Sequence, residues 1–304
     1  MQEMTTQSIE FANGKLWLAA LKPPMYSVAI MPIVVGSAIA FAETQIFRLD
    51  VFCTFMASAI LILAWENLSN DVFDAETGID VNKAHSLVNL TRNKGLILAL
   101  GLGCLGLGIL GILAIAFWQR DPTVLILVGL CCFLGYAYQG PPFRWGYQGW
   151  GEILCFLSFG PLGVGAAYYS QVQGWSVGSQ VAGVVIGVTT SLVLLCSHFH
   201  QVDDDLAAGK RSPIVRLGTR RGAQLIPWCC GGVLLLILIS TWWGYFPVWT
   251  LLSLVSGVSA IRLSRHVMAH HDQPQQVSNA KFYAIGFHFW SGVLLSVGLL
   301  LPLG

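Results

Sequence analysis

Long apolar runs separated by short polar clusters set the pattern of this chain. Nine runs lie near 17–41, 51–66, 95–118, 122–139, 152–170, 181–199, 223–243, 246–262 and 282–302. Each is about the length of a helix that crosses ~30 Å of hydrocarbon. Turn residues fall between them: Asp121-Pro122 after the third, Gly174 after the fifth, Gly244 and Pro247 after the seventh. The runs are continuous, without the ten-residue alternation of a membrane β-barrel. The pattern predicts an all-α, polytopic membrane protein with nine transmembrane helices, and a single domain over residues 1–304.

The charges between the runs test that count. With nine spans, Lys15, Lys22, Lys83, Arg92, Lys94, Arg144, Lys210, Arg211, Arg216, Arg220, Arg221, Arg262, Arg265 and Lys281 share one side, and only Arg48 and Arg120 lie on the other. An even count would scramble this segregation. Because cytoplasmic loops carry the excess of Lys and Arg, the N-terminus is expected in the cytoplasm and the C-terminus on the far side. The acids divide the same way. Glu66, Asp71, Asp74, Glu76 and Asp80 follow the second run, and Asp203, Asp204 and Asp205 follow the sixth. Both acidic loops are therefore expected to open on the cytoplasmic side and to share a site.

In the first cluster, read as a helix continuing out of its apolar run, Asn67, Asn70, Asp71 and Asp74 stand at i, i+3, i+4 and i+7. That spacing puts four oxygen-bearing side chains on one face. Like charges gathered this way in a chain only 10% charged point to a cation between them, most simply Mg²⁺. A solvated collar at the end of a span is the alternative reading for either cluster. Aligning Asp74 and Gly78 on Asp205 and Gly209 sets Asn67 against His198 and Asn70 against Gln201. The chain thus reads as pseudo-repeat halves, roughly 15–145 and 146–270, each carrying one acidic cluster beside a glycine suited to end a helix.

Composition adds constraints. The chain is 304 residues long and 55% hydrophobic, with mean hydropathy +0.67. Its net charge of +1 and scattered basic residues give no footprint for nucleic acid. Met1 to Gly14 does not read as a cleavable signal, since no basic residue precedes Lys15. All eight cysteines lie in apolar runs without metal-binding spacing and are expected to be small core or lipid-facing residues. The glycine-rich stretches 100–108 and 160–165 suit close helix packing, with the wall of an apolar channel as the other possibility.

Two acidic clusters across a polar mouth would hold Mg²⁺ poorly alone and well with a diphosphate completing its oxygen shell. Lys83, Arg92 and Lys94 beside the first cluster, and Lys210 and Arg211 beside the second, are placed to meet phosphate oxygens. His198 is as readily a ligand as an ordinary helix-end histidine, and His266, His270 and His271 are given no role.

These residues carry a resemblance. The stretch Asn70-Asp71-Val72-Phe73-Asp74, followed by Gly78-Ile79-Asp80, resembles the NDxxDxxxGxD signature of the UbiA superfamily of intramembrane aromatic prenyltransferases. The run Asp203-Asp204-Asp205 through Gly209-Lys210 to Arg216-Leu217-Gly218 is similar to the second motif of that family's dihydroxynaphthoate branch. So is the stretch from Tyr138 through Pro141-Pro142 and Arg144 to Gly151-Glu152. The resemblance covers nearly the whole chain. Where relatives commonly carry an aspartate, Gln201 stands four residues before Asp205.

The resemblance implies nine helices surrounding a central cavity and prenyl transfer from an allylic diphosphate, here phytyl diphosphate, to 1,4-dihydroxy-2-naphthoate, with loss of CO2 and diphosphate, in phylloquinone or menaquinone biosynthesis. Polyprenyl transfer to the same ring, or transfer to homogentisate or 4-hydroxybenzoate, are the alternatives. It implies two Mg²⁺, one held by Asp71 and Asp74 and one by Asp203 and Asp205. Asn67, Asn70, Lys83, Arg92, Arg144 and Lys210 would assist with the diphosphate, and Tyr138 would shield the allylic cation. It further implies an integral protein of a cell inner membrane or thylakoid, surrounded by lipid, with its active site on the cytoplasmic side. Two rivals fit less well. A CDP-alcohol phosphotransferase expects a DGxxAR pattern after its first acids, which residues 74–78 lack. A cation carrier expects ionisable groups near the bilayer midplane rather than at span ends.

Overall fold

The computed structural model describes residues 17, 20, 22–79 and 86–302. Helices follow the apolar runs. They are α1 (Pro23–Thr44), α2 (Leu49–Thr77), α3 (Lys94–Gln119), α4 (Thr123–Gln139), α5 (Gly151–Val172), α6 (Val177–His198), α7 (Thr219–Trp242), α8 (Gly257–His270, entered through the 3-10 turns of Val248–Ser256) and α9 (Ala280–Leu300). Among the described residues seven helices are long and apolar enough to cross a membrane, α4 being shorter and α8 divided. No strand occurs among the described residues.

The boundaries follow local chemistry. Asn93 opens α3 by accepting a hydrogen bond from the Leu96 amide at 3.0 Å, and Ser176 caps α6 through the Ser179 amide at 3.3 Å. The acid-rich stretch after the second apolar run is not a loop. It forms the last three turns of the 29-residue α2, which stops only at Gly78, whose φ of 76° ends the helix in the left-handed region. Hydropathy falls at Glu66 because the side chains become polar, yet nothing there breaks the backbone's helical hydrogen bonding. The second copy behaves differently. Helix α6 ends at His198, and Asp203, Asp204 and Asp205 lie on a separate short helix, Val202–Ala207. The two halves therefore share acids but not local geometry.

Two main apolar cores result, beside a small cluster of Ala20, Val72, Leu87 and Ile97. The larger joins α1, α6, α7, α8 and α9 through residues such as Val35, Ile39, Ile186, Ile226, Leu263 and Phe287. The smaller joins α2 to α5 through Phe55, Ile62, Ile112, Val128 and Ala166. Glycines set the approach of the helices. A Cβ on Gly108 would stand 2.9 Å from Ile62 Cγ1, so α3 lies flush on α2. Gly160, with φ −90° and ψ −108° beside Pro161, kinks α5, and a Cβ there would meet the Gly183 carbonyl oxygen of α6 at 2.5 Å. The glycines of 100–108 and 160–165 thus serve helix packing or face outward, and none lines the cavity described below. The cysteines are all free.

The outer surface remains apolar, with Leu107, Leu110, Phe117 and Leu235 exposed, as suits a chain surrounded by lipid. Trp118, Trp175, Trp242, Trp243 and Trp249 are exposed at the helix ends opposite the acids, where amphipathic rings suit a membrane interface.

Candidate active site

A cavity of about 1050 Å³ lies between α1, α2, α4, α5, α6 and the start of α9. Its walls are largely apolar, with Leu63, Phe73, Leu134, Leu154, Phe159 and Val193 among them. Its polar groups gather where α2, α4 and α6 end: Asn67, Asn70 and Asp74 from α2, Tyr138 and Gln139 from α4, His198 from α6, then Gln201, Asp204 and Lys210. The two acidic clusters, 131 residues apart from Asp74 to Asp205, therefore do face one space.

Within each cluster the acids divide into two kinds. Asp74 and Asp204 line the cavity, whereas Asp71 and Asp205, each 0% exposed, stand behind its wall. Asp71 Oδ1 meets Lys22 Nζ at 3.0 Å, and its Oδ2 accepts a hydrogen bond from the Leu87 amide at 2.9 Å. Asp205 is held by His198 Nδ1 at 3.1 Å and Lys210 Nζ at 3.4 Å. Burial alone would raise the Asp205 carboxyl, but the hydrogen bond from His198 and the charge of Lys210 prevail and keep it below the ordinary carboxylate range. Asp205 is thus an anion near neutral pH.

Asp74 is oriented from the neighbouring helix end. Gln139 Nε2 donates to Asp74 Oδ1 at 2.9 Å, and the Tyr147 hydroxyl lies 3.3 Å from the same oxygen. That hydroxyl also meets Thr77 Oγ1 at 2.6 Å, which in turn donates to the Asp74 carbonyl. Burial first, and then the Asp74 carboxylate, raise the Tyr147 phenol, so it stays a donor. On the opposite wall Glu152 Oε1 approaches His198 Nε2 at 3.6 Å, forming a buried chain Glu152, His198, Asp205, Lys210.

Glu66 also lines the cavity, whereas the other described residues singled out by sequence lie apart from its wall. Asp203 is exposed on the outer side of its short helix. Arg92 is exposed at the end of the helix Leu87–Thr91. Arg144 pairs with Glu76 at 3.7 Å, and Lys94 pairs with the same carboxylate, tying three segments together at the edge of the site. Lys83 and Asp80 lie outside the described residues. Sequence reading passed over Gln139, Tyr147, Glu152 and the pairing role of Lys22. Three of these lie within or beside the stretch 138–152 that carried the family resemblance. That placement was the available signal, but polar residues there could not be ranked without knowing which faced Asp74 or His198.

The donor set suits an oxygen-seeking cation and its anionic ligand. Asn70 Oδ1 and Gln139 Oε1 are buried acceptors with no hydrogen-bond partner among the described residues, and Asn67 Nδ2 is a donor in the same position. Buried polar atoms of this kind are normally satisfied by something. Hard oxygens beside a carboxylate are the ligands Mg²⁺ takes, with diphosphate oxygens filling the remainder. No group of three His, Cys, Asp or Glu side chains among the described residues converges closely enough to hold a metal unaided.

Known proteins resemble the chain along nearly its whole length. The 2-carboxy-1,4-naphthoquinone phytyltransferase of Synechocystis sp. is 53% identical over 94% of each chain. The chloroplastic 2-carboxy-1,4-naphthoquinone phytyltransferase of Arabidopsis thaliana is 39% identical over 97% of this chain and 79% of its own. A solved UbiA homologue from Archaeoglobus fulgidus bound to GPP and Mg²⁺ superposes with TM-score 0.57 over 92% of this chain and 99% of that one, a likeness of fold at 14% identity. The model of the UbiA prenyltransferase family matches residues 29–293, and this all-helical membrane protein belongs to that family.

Proposed function

We propose that the chain transfers a phytyl group from phytyl diphosphate to 1,4-dihydroxy-2-naphthoate, releasing CO2 and diphosphate, in the synthesis of phylloquinone or menaquinone. The observation that carries this reading is the cavity itself, about 1050 Å³ in volume, which joins largely apolar walls to two acidic clusters at one end. The relatives named above supply the acceptor's skeleton. Attack on an allylic cation needs an electron-rich ring, so the dihydroxy form is the nucleophile.

Mg²⁺, two ions with the diphosphate, would be met by Asp74 on one side and Asp204 on the other, with the enclosed Asp71 and Asp205 holding the basic residues around them and Asp203 standing outside the cavity. It would supply Lewis acidity that weakens the allylic C–O bond. The chain's own residues do the remaining work. Lys210, Asn67 and Asn70 bind the phosphate oxygens, with Arg92 and Arg144 drawing the anion toward the site from its rim and Lys83 adding its charge to theirs. Gln139 and Tyr147 fix the Asp74 carboxylate so that its charge is preorganised where the leaving group forms. Tyr138 and the apolar walls exclude water from the cation, which would otherwise be captured as an alcohol. The C–O electron pair leaves with diphosphate, the ring carbon bearing the carboxylate forms the new C–C bond, and the electrons of the C–CO2 bond return to the ring.

The fourteen-to-two division of basic residues supports nine spans in one domain, a cytoplasmic N-terminus and a site open to the cytoplasm, in a cell inner membrane or thylakoid. The function is tested by incubating purified protein and Mg²⁺ with 1,4-dihydroxy-2-naphthoate and a panel of allylic diphosphates, identifying products by mass. Phytylated naphthoquinol is expected. No product from any donor rejects transferase activity, and preference for a longer polyprenyl donor reassigns the tail.

A further inference from the structure

Among the described residues, three carboxyl side chains line the cavity: Glu66, Asp74 and Asp204. The diphosphate and its metal account for the two aspartates and leave Glu66 without a role. An acid near the end of a span can simply be solvated, but Glu66 lies about three turns inside the end of α2. It stands with Asn70 and Asp74 at i, i+4 and i+8, on one face of the helix and about 6 Å deeper than Asn70. With the diphosphate at Asn70 and Asp74, that depth is where the allylic carbon meets the attacking ring. The wall also changes character there, since Glu66 borders a small apolar pocket with Phe55, Ile62, Val128 and Phe159. Its carboxyl makes no hydrogen bond or ion pair with another described residue. Cys131 lines the same pocket but donates instead to the Ser158 carbonyl at 3.4 Å. A polar group set into an apolar wall without a partner is costly unless a ligand supplies one. The facing helix leaves it room. A Cβ on Gly135 of α4 would take the place of Glu66 Oε1 and stand 2.9 Å from its Cδ.

We propose that Glu66 is a catalytic base for the aromatic acceptor, binding the ring hydroxyl next to the carbon under attack and taking its proton. The proposal rests on the transferase reading and names the group that acts on the acceptor. As the ring carbon bearing the carboxylate bonds to the allylic carbon, the neighbouring O–H bond breaks. Its proton passes to Glu66, and an electron pair of the oxygen closes a C=O bond. When the C–CO2 bond then breaks, its electrons return to the ring, and the oxygen recovers the proton from Glu66 to become a hydroxyl again. The cycle leaves Glu66 as it began, and CO2 and diphosphate are the groups lost. Asp74 and Asp204 lie at the leaving-group end of the cavity, and His198 is engaged by Asp205 and Glu152. Glu66 alone among these groups combines the depth of the reacting carbon with a free carboxyl.

The test counts every product formed from phytyl diphosphate and 1,4-dihydroxy-2-naphthoate by the full chain with Mg²⁺ in detergent. Glu66→Gln keeps size and polarity but cannot take the proton. Coupled product is expected to form about 100-fold more slowly. The cation still forms, so water capture and proton loss divert it to phytol and phytadiene, and their ratio to coupled product should rise about tenfold or more. That ratio is internal to each reaction and does not depend on how much protein is folded. A merely structural role would lower all products together and leave the ratio at the wild-type value, and that result overturns the proposal. Coupling within about threefold of wild type overturns it as well. Wild type that forms no coupled product would overturn the transferase reading itself. If Glu66→Gln yields no folded protein, Gly135→Ala displaces the carboxyl without changing its chemistry. A raised ratio in that variant supports the proposal, and an unchanged ratio rejects it.

Discussion

At the scale of single residues, the division among the acids is the most informative feature. Four aspartates with similar motif positions occupy two environments: Asp74 and Asp204 face the cavity, and Asp71 and Asp205 are enclosed by lysine, histidine and backbone donors. An enclosed carboxylate holds its neighbours in position, while a cavity-facing one can share its charge with a ligand. Asp74→Asn should therefore lower kcat about 100-fold or more, the scale of losing a preorganised charge at a forming leaving group. Gln139→Leu, which frees Asp74 to rotate, should cost about tenfold. Asp204→Asn should cost more than Asp203→Asn, whose parent side chain points away. Steady-state kinetics on the four variants checks the ranking, and equal effects of the last two would contradict the geometric division.

At the scale of elements, glycine spacing decides how closely helices meet. Gly160 of α5 and Gly183 and Gly187 of α6 form a contact with no room for a methyl group, since a Cβ on Gly160 would lie 2.5 Å from the Gly183 oxygen and 2.8 Å from the Gly187 Cα. Both neighbours are backbone and cannot swing aside. Gly160→Ala should thus destabilise the protein by about 1–3 kcal/mol through overpacking. Gly103 of α3 has nothing within 4 Å of such a Cβ, so Gly103→Ala should be neutral or slightly stabilising, as alanine favours helix over glycine. Thermal unfolding in detergent separates the two. Nearby polarity works the same way. His288, buried on α9, joins Thr189 of α6 at 2.9 Å and the Ser27 carbonyl of α1 at 3.3 Å, tying together the three helices around which the larger core is built.

At the scale of the whole molecule, the fold brings two distant acidic clusters to one end of an apolar cavity and leaves a lipid-facing exterior around it. The proposed nine-span topology has a direct check. A phosphatase reporter that folds only outside the cytoplasm, fused after the last residue, should be active, and the same reporter fused after Ala207 should be inactive. An inactive C-terminal fusion would require an even number of spans.

The amino-acid sequence by itself determined the helical membrane class, the helices along the apolar runs, the two acidic clusters and the family, because hydropathy and motif spacing are local properties written along the chain. It also marked Asn67, Asn70, Asp71 and Asp74 as one face of a helix, since a period of 3.6 needs no knowledge of neighbours, but of these four Asp71 stands behind the cavity wall. Only the tertiary structure decided which acids reach the cavity and which are enclosed, that Gln139 and Tyr147 orient Asp74, that Arg144 turns to Glu76, and that Lys22 comes to Asp71 from 49 residues away. Those outcomes depend on which helix faces which, and on the pairing that a buried charge requires. The same aspartate can be ligand or anchor depending on the side chain that the fold sets beside it.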